Sequence, residues 1–385
     1  MKHIFVPVRQ TQYDVFYGLR ENLKNDRFSS HDLLDIHLSA ESYATFDKVE
    51  LTNRRFFRPL FYRKLFLELE IMLKEAVQQD QQDAANVVVY IADEGIWAVL
   101  LDYFCHKWGV HAYRINVQHG FLYPERPTQF DLFIRRLLNK ISIAFTGYPS
   151  FGLGFGCSLF DAYLVYGQKE KEFIQSQSSA IAFACPMLIK KDFIEHYERF
   201  KKHLHLNVTS KLILFALPYE IAPINNSIKG TLNEIFQEIT PLAKYLREVH
   251  NIKLLLRFHP GADHTRALAF LNSSELRQYV NIDDEEDVVP GIARSVAVMS
   301  YDSTVLFEAG LVGVVPIVIF GKSCQQGAFT FPHEIVDLNG DYRAMLDQAL
   351  SKDTIDRYSG TFRENTPEID WGECITQLTS TSDPK

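Results

Sequence analysis

The stretch from Val296 to Gly321 constrains the fold of this chain more than any other. Two apolar, β-prone runs lie at its ends, Val296–Met299 and Val314–Phe320, and an apolar helical run, Val305–Leu311, lies between them. Small polar residues fill the turn Ser300–Thr304, as is typical of the start of a helix. This order of strand, polar turn, helix and strand predicts one βαβ unit with parallel strands.

The polar turn of this unit is a candidate phosphate site. Ser300, Ser303 and Thr304 place hydroxyls and backbone N–H groups at a helix N-terminus, where a phosphate is readily held. Glu308 follows one turn later and could reach a ribose diol, and Gly321 ends the second strand. The same residues also fit an ordinary βαβ unit whose polar groups only cap its helix.

Length and composition limit the class of protein. A chain of 385 residues that is 46% hydrophobic can build two domains, and its net charge of −8 argues against nucleic-acid binding through bulk charge. No apolar run approaches the roughly 20 residues that cross a bilayer. The start, MKHIFVPVRQ, enters a strand without the apolar core of a signal peptide, and the five cysteines are scattered. We therefore expect a cytoplasmic protein with reduced thiols.

Strands and helices alternate in both halves of the sequence. This alternation predicts an α/β protein with two doubly wound, Rossmann-like domains facing a central cleft. We expect the domains at residues 1–190 and 206–385, joined by the charged helix Lys190–His205. Helices after Gly340 are expected to cross back to the first domain.

Two strands of the first half end in polar residues. Asn86–Ala92 is followed at once by Asp93, Glu94 and Gly95. Ligands and catalytic groups collect at the carboxyl ends of parallel strands, so the two acids are candidates for a general base and Gly95 for a place where an acceptor approaches. They equally fit a pair of acids that begins a helix. His119 follows another strand and could line the same edge.

Strand ends in the second half carry further candidates. Ile252–Phe258 delivers Arg257 and then His259 and Pro260 to its carboxyl end, and Pro218 ends the preceding strand. We assign Arg257, Pro260 and Pro218 to donor binding and His259 to catalysis.

Three other stretches bear on partners and cofactors. The basic and aromatic segments Arg54–Lys64 and Phe130–Ile143 fit either packed helices or a membrane-surface contact. Phe145–Cys157 is rich in glycine but lacks the strand-then-helix context of a dinucleotide fingerprint, so we predict a mobile loop and no cofactor. The acidic run Asp283–Asp287 lacks a glycine-bent ligand loop and is expected to be a solvated turn, so we predict no metal.

The order of these motifs resembles that of the bacterial GT-B sialyltransferases and polysialyltransferases, and it is similar to that of the capsule Kdo transferases. The shared features are acid-acid-Gly in the first half, His-Pro after a strand, and a Ser/Thr turn before FEA and GVVPIVIFG. The resemblance implies a CMP-activated nonulosonic or ulosonic acid as donor. It makes Asp93 or Glu94 the base, His259 the group that assists departure of the CMP phosphate, and Ser303 and Thr304 its further ligands.

Two departures from that family pattern leave alternatives open. The turn has Ser-Thr where the family has a Ser-Ser pair. The stretch Gln118–Phe121 reads QHGF and also resembles wall teichoic acid polymerases, which would make His119 the base instead of Asp93.

The sequence thus predicts an inverting, metal-independent glycosyltransferase of surface-polysaccharide or lipopolysaccharide synthesis. Its partners would be a CMP-sugar, a glycan or glycolipid acceptor and, through the basic segments, the inner membrane surface, with no nucleic acid. The alternatives are a CDP-polyol or UDP-sugar transferase, a UDP-sugar epimerase, or a non-catalytic nucleotide-binding relative on the same fold.

Overall fold

The computed structural model describes residues 2–7, 16, 19–20, 23, 33–37, 55–78, 87–92, 95–110, 112–118, 128–153, 159–165, 168–176, 178, 180–184, 191–204, 211–217, 232–259, 262–301, 303–322, 331–361, 374 and 378. The chain divides into two compact units, Met1–Lys190 with Pro367–Lys385, and Lys191–Thr366.

The first unit contains a six-stranded, wholly parallel sheet in the order β2-β1-β3-β4-β5-β6. Its strands are β1 Lys2–Val6, β2 Leu33–Asp35, β3 Val87–Ile91, β4 Ala112–Val117, β5 Ala162–Val165 and β6 Ile181–Ala184. Its helices are α1 Arg58–Phe61, α2 Arg63–Gln78, α3 Ile96–Trp108, α4 Gln129–Thr146 and α5 Gln168–Gln175, with a 3₁₀ turn at Arg55–Phe57 before α1. The near-continuous apolar runs of its central strands are those expected of a parallel sheet that is covered on both faces.

The second unit contains another six-stranded parallel sheet, in the order β12-β11-β10-β7-β8-β9. Its strands are β7 Leu212–Ala216, β8 Lys253–Arg257, β9 Val280–Ile282, β10 Ser295–Ser300, β11 Val315–Phe320 and β12 Glu334–Asp337. Its helices are α6 Lys191–Leu204, α7 Leu232–Val249, α8 His264–Ser273, α9 Val289–Ala293, α10 Val305–Leu311, α11 Tyr342–Ala349 and α12 Lys352–Thr361, with a 3₁₀ turn at Glu275–Tyr279. The predicted βαβ unit is confirmed as β10, α10 and β11.

Each sheet reverses its winding direction once. In the first sheet the chain moves outward from β1 to β2 and then returns to β3, which pairs with the other side of β1. In the second sheet the reversal lies between β7 and β10. Ligands of open α/β sheets bind beyond the carboxyl ends of the strands at such switch points.

Each unit has its own apolar core. In the first, Phe66 on α2 and Trp97 on α3 pack edge to face and are almost fully buried. In the second, Phe236 on α7 packs in the core with strand residues such as Phe215. Burying a large side chain of this kind contributes about 1.5–3 kcal/mol, so the two cores hold their sheets rigidly enough to position polar groups at the strand ends.

The helices near the predicted junction and tail are grouped mainly with the second unit. Helix α6 belongs to the unit Lys191–Thr366, as do α11 and α12. Leu346 and Tyr358 of these last two helices contribute to the second core. Residues 367–385 are grouped with the first unit.

Two further findings concern the described residues only. None of their helices is both long and apolar enough to span a bilayer. Cys105, which is buried on α3, is a free thiol.

Candidate functional site

A buried hydroxyl links two neighbouring strands at the switch point of the second sheet. Ser300, the last residue of β10, pairs with Ala216 at the end of β7, and its Oγ donates to the Ala216 carbonyl oxygen at 2.7 Å. The same Oγ accepts a hydrogen bond from the backbone N–H of Ser303 at 3.2 Å. In the structure the Ser300 hydroxyl joins the two strands and begins the polar turn, and donor binding by Ser300 stays a prediction.

The other two hydroxyls of the turn differ from each other. Ser303 Oγ accepts from the Val305 N–H at 3.4 Å, and the Ser303 carbonyl accepts from the Leu306 N–H. Thr304 begins α10, and its carbonyl accepts from the Phe307 N–H. Its side chain makes no hydrogen bond with any residue that the structure describes. Among the predicted hydroxyls, that of Thr304 is therefore the one that makes no hydrogen bond within the described part of the chain.

A carboxylate that the sequence did not reveal lies at the ends of β10 and β11. Glu238 on α7 accepts from the backbone N–H of Lys322, and its Oε2 accepts from the Tyr301 hydroxyl at 3.2 Å. A Cβ built on Gly321 would lie 2.7 Å from Glu238 Oε2 and closer still to Oε1. Gly321 was predicted to contact a donor, and the structure shows that its lack of a side chain makes room for Glu238. Nothing in the spacing of α7 distinguishes Glu238 from the other acids of that helix.

At the end of β8, Arg257 holds the acidic run that follows β9. Its Nη1 donates to Asp283 Oδ2 at 2.8 Å and to the carbonyl oxygens of Glu285 and Asp287, each at 3.0 Å. Its Nη2 donates to the Glu286 carbonyl at 3.1 Å. The run is therefore a loop tied by one guanidinium, and donor binding by Arg257 stays a prediction without support from these contacts.

Asp283 is the buried partner in this loop. Its side chain is 1% exposed, and burial raises the pKa of its carboxyl, while the hydrogen bond from Arg257 opposes that rise. A Cβ at Gly291 would lie 2.9 Å from Asp283 Oδ2, so a glycine on α9 gives the carboxylate its space. The ion pair between Arg257 and Asp283 holds the end of β8, the strand that His259 follows.

His259 stands two residues beyond Arg257 and is half-buried. The His259 carbonyl accepts from the Ala262 N–H at 2.9 Å, and the ring of His264 donates to it through Nε2 at 3.1 Å. These bonds fix the position of the His259 carbonyl. Strands β8 and β10 lie on either side of β7. The ends of β8 and β10, which His259 and Thr304 follow in the chain, are thus two strand spacings apart, roughly 9–10 Å. Glu308 lies half-buried in the first turn of α10.

A second set of candidates follows a strand at the switch point of the first sheet. The last residues of β1 and β3, Val6 and Ile91, are paired across it. Asp93 and Glu94 follow β3 in sequence, and Gly95 begins α3. Because the two acids follow a strand at a switch point, their position in the sequence favours the predicted role of general base. Both acids lie outside the described residues.

The chain around Gly152 packs directly on the start of α3. A Cβ at Gly152 would lie 2.6 Å from the carbonyl carbon of Gly95, so the two backbones are in contact. Ser150 nearby is fully buried, and its N–H donates to Asn139 Oδ1 at 2.9 Å. The glycine-rich stretch Phe145–Cys157 was expected to form a mobile loop. Residues 147–153 are bonded into the first unit, because buried polar groups need partners, and residues 154–157 lie outside the described residues.

Several predicted residues lie outside the described residues: Asp93, Glu94, His119, Pro218 and Pro260. Their roles stay predictions. Within the described residues, no group of three or more His, Cys, Asp or Glu side chains has the arrangement of a metal site.

Comparison with known proteins identifies the fold of the chain but not its family. No family model matches the chain, and no curated protein sequence matches it. A solved trehalose-6-phosphate synthase matches with a TM-score of 0.60 and 12% identity, over 99% of this chain and 100% of that chain.

Two further structures match in the same way. The UDP-GlcNAc 2-epimerase from Methanocaldococcus jannaschii has a TM-score of 0.57 and 10% identity, over 99% of this chain and 100% of that chain. The S. aureus MnaA–UDP co-structure has a TM-score of 0.56 and 12% identity, over 98% of this chain and 96% of that chain. These likenesses confirm the predicted α/β fold of the GT-B type, and they do not confirm the narrower resemblance to sialyl- and Kdo transferases.

Proposed function

We propose that this chain is a glycosyltransferase that uses a nucleotide-activated sugar and binds the donor nucleotide at the carboxyl edge of the second sheet. The observation that carries the proposal is the arrangement at its switch point. Ser300 and Ala216 join the two central strands, Thr304 offers an uncommitted hydroxyl, and His259 leaves the strand on the other side of β7.

In this proposal the second unit carries the phosphate chemistry. The Thr304 hydroxyl donates a hydrogen bond to a donor phosphate, and His259 donates a hydrogen bond or proton to the phosphate as it departs. Glu308, one turn into α10, accepts from the ribose hydroxyls. Groups that stabilise a leaving phosphate without moving themselves lower the barrier most effectively, and the backbone bonds at His259 and Ser303 supply that rigidity.

We propose a UDP-sugar as the first donor to test, ahead of the CMP-sugar that the motif order implies. The support is that two structural matches carry UDP in their descriptions, the MnaA–UDP co-structure and the UDP-GlcNAc 2-epimerase. The CMP-linked sialic acid or Kdo donor and the CDP-polyol donor become further arms of the same experiment.

The transfer itself requires a base. An acceptor hydroxyl loses its proton to a carboxylate or imidazole as its oxygen attacks the anomeric carbon, and the bond from that carbon to the phosphate oxygen breaks. Asp93, Glu94 and His119 are the candidates, and they follow the adjacent parallel strands β3 and β4. The acceptor is proposed to be a glycan or glycolipid hydroxyl.

A UDP-sugar 2-epimerase is the second candidate, favoured by the whole-chain match to the M. jannaschii enzyme. It would change the configuration of the donor sugar without any acceptor, whereas a transferase releases nucleotide in step with glycosylation of an acceptor.

The test is direct binding followed by turnover. UDP, CDP and CMP are titrated by calorimetry into the whole chain and into the Thr304→Val and His259→Ala variants. Each activated donor is then incubated with wild-type protein, and free nucleotide and epimerised sugar are measured. We expect one nucleotide to bind and to lose affinity about tenfold in Thr304→Val, the loss of one hydrogen bond to a charged group. Failure of all three nucleotides to bind at millimolar concentration would exclude the proposal.

A further inference from the structure

Exposed large hydrophobic side chains are concentrated in one part of the first unit. Of the 13 such side chains among the described residues, 10 lie in the segments 55–78 and 129–146. We call this set the apolar surface: Phe57, Leu60, Phe61, Leu67, Ile71, Phe130, Phe133, Leu137, Ile141 and Phe145. Single exposed hydrophobic residues are ordinary, but a concentration of this kind marks an interaction site.

Helix α4 presents its apolar face outward. Its buried residues Leu132, Asn139 and Ser142 lie on one side of the helix. Phe130, Phe133, Leu137, Ile141 and Phe145 are spaced by three or four residues, and at 100° per residue they form a stripe opposite the buried side. Their exposure runs from 37% to 80%. A surface helix normally exposes its polar side chains to water and buries its apolar ones, so this exposed apolar stripe needs an apolar partner.

The neighbouring helix α2 repeats the pattern. Leu69 and Leu73 are buried, while Leu67 and Ile71 on the other side are about half exposed. Leu60 and Phe61 of the short helix α1 extend this exposed group toward the N-terminal side.

The two segments are tied to the same piece of chain. Asn139 on α4 donates to the Phe151 carbonyl at 2.9 Å, and Ser150 Oγ donates to the Phe56 carbonyl at 3.0 Å. The Tyr148 hydroxyl donates to Glu70 on α2 at 2.8 Å. Residues 148–151 therefore hold α4 and the α1–α2 segment side by side within one unit.

The charges around the apolar surface are mainly positive. The exposed basic residues of the two helical segments are Arg63, Lys64, Lys74, Arg136 and Lys140, and the exposed acids are Glu75 and Asp131. Five positive and two negative charges leave +3 on this surface, whereas the whole chain carries −8.

We propose that the apolar surface docks on an anionic lipid bilayer, with α4 lying along the headgroup boundary and its five-residue stripe inserted. Helices that lie in that interface typically carry phenylalanine and leucine on one face, with lysine and arginine beside them. A second copy of this chain fits less well, because a symmetric contact would bring two surfaces of the same positive charge together. The proposal does not depend on the donor or on the chemistry proposed above.

The experiment is flotation of the whole chain with vesicles of pure phosphatidylcholine and with vesicles that contain 30% phosphatidylglycerol, at about 50 mM and 500 mM salt. We expect binding to the anionic vesicles only, weakened by salt. Phe133→Ser with Leu137→Ser should reduce the partition constant at least tenfold, since two inserted side chains no longer leave water. Arg136→Gln with Lys140→Gln should reduce it by roughly 25-fold, about fivefold for each charge.

Matched controls come from the second unit. Val249 and Ile335 are 59% and 43% exposed, against 61% and 44% for Phe133 and Leu137, so Val249→Ser with Ile335→Ser removes equally exposed groups elsewhere. Lys202→Gln with Lys244→Gln removes two exposed charges. Both control variants should float like the wild type.

Three outcomes would overturn the proposal. They are absence of flotation by the wild type, equal loss in the control variants, and a wild-type dimer in sedimentation velocity that Phe133→Ser with Leu137→Ser converts to monomer. The last outcome would assign the surface to a second copy.

Discussion

The carboxylate of Glu238 lies in the space that a side chain at position 321 would fill. A Cβ on Gly321 would come within 2.7 Å of Glu238 Oε2 and nearer to Oε1. Glu238 in turn binds the Lys322 N–H and the Tyr301 hydroxyl, so one residue of α7 joins the ends of β10 and β11. The geometry of the proposed phosphate edge depends on this pair.

Replacing Gly321 by alanine should therefore displace the Glu238 carboxylate and break both of its hydrogen bonds. Bonds of this kind contribute about 1 kcal/mol each, so we expect Gly321→Ala to lower the free energy of unfolding by about 2 kcal/mol. The measurement is urea denaturation of the single variants Gly321→Ala and Glu238→Ala and of the double variant. Because the two changes remove the same contacts, their effects should be strongly non-additive.

Gly340→Ala provides the matched control. A Cβ there would meet its nearest neighbour, the Asp337 carbonyl oxygen, at an ordinary 3.7 Å. We expect a change within about 0.5 kcal/mol. Additive effects of the Gly321 and Glu238 substitutions would show that the pair does not hold the strand ends.

Ser300 and Thr304 should respond in opposite ways to loss of their hydroxyls. Ser300→Ala removes the hydrogen bonds of this hydroxyl with the Ala216 carbonyl and the Ser303 N–H, so it should cost about 1–3 kcal/mol of stability. Thr304→Val removes a hydroxyl that binds no described residue, so stability should change by less than about 0.5 kcal/mol while nucleotide affinity falls. Thermal unfolding with and without nucleotide separates the two effects. An equal loss of stability in both variants would contradict the assignment.

The Arg257–Asp283 pair predicts a pH-dependent stability. Burial raises the pKa of Asp283, and Arg257 opposes that rise. A carboxyl whose folded-state pKa is raised binds its proton more tightly when folded, so the contribution of this group to stability is greatest at low pH and is lost as pH rises through that pKa. Arg257→Gln removes the opposing charge and leaves a buried carboxylate unpaired, which costs about 3–5 kcal/mol at neutral pH. We expect a smaller loss at pH 5 than at pH 8, measured by urea denaturation.

Arg294→Gln is the corresponding control, because Arg294 pairs with Glu285 at 2.8 Å near the surface of the same loop. Both side chains are about a third exposed, so its loss should cost less than about 1 kcal/mol. If Arg257→Gln lost the same free energy at pH 5 and pH 8, the ionised form of Asp283 would not be the cause.

The sequence was sufficient to predict strands such as β3, β8, β10 and β11 and the polar residues that follow them, because parallel buried strands are continuous apolar runs bounded by glycine and polar residues. It did not predict the short edge strands β9 and β12. The sequence could not show which of the polar side chains at those strand ends are already hydrogen-bonded within the protein. Ser300 and Thr304 look alike in the sequence, and only the pairing of β10 with β7 shows that one hydroxyl is committed.

Long-range partners were beyond sequence reasoning for the same reason. Arg257 ends a strand as a ligand-binding residue would, yet its partners lie 26 to 30 residues later in the chain. Glu238 meets Lys322 across 84 residues. Neither contact leaves a periodic signal, since each depends on how helices and loops pack at the edge of a finished sheet.

The final prediction separates the candidate bases. Asp93 and Glu94 follow β3, the strand at the switch point of the first sheet, and His119 follows β4, one strand further along. Ligands gather at switch points, so we expect Asp93→Ala to lower turnover by about 10²–10⁴-fold and His119→Ala to have a mild effect. His259→Ala should cause a loss as large as that of Asp93→Ala, because it would remove the group that assists the leaving phosphate.

The measurement is turnover of the donor identified by the nucleotide titration, for Asp93→Ala, Glu94→Ala, His119→Ala and His259→Ala side by side. Circular dichroism confirms that each variant is folded. The pH profile gives a second readout, since a carboxylate base titrates well below neutrality and an imidazole base near pH 6.5. Near-wild-type turnover in both Asp93→Ala and Glu94→Ala, together with an inactive His119→Ala, would transfer the role of base to the imidazole that follows β4.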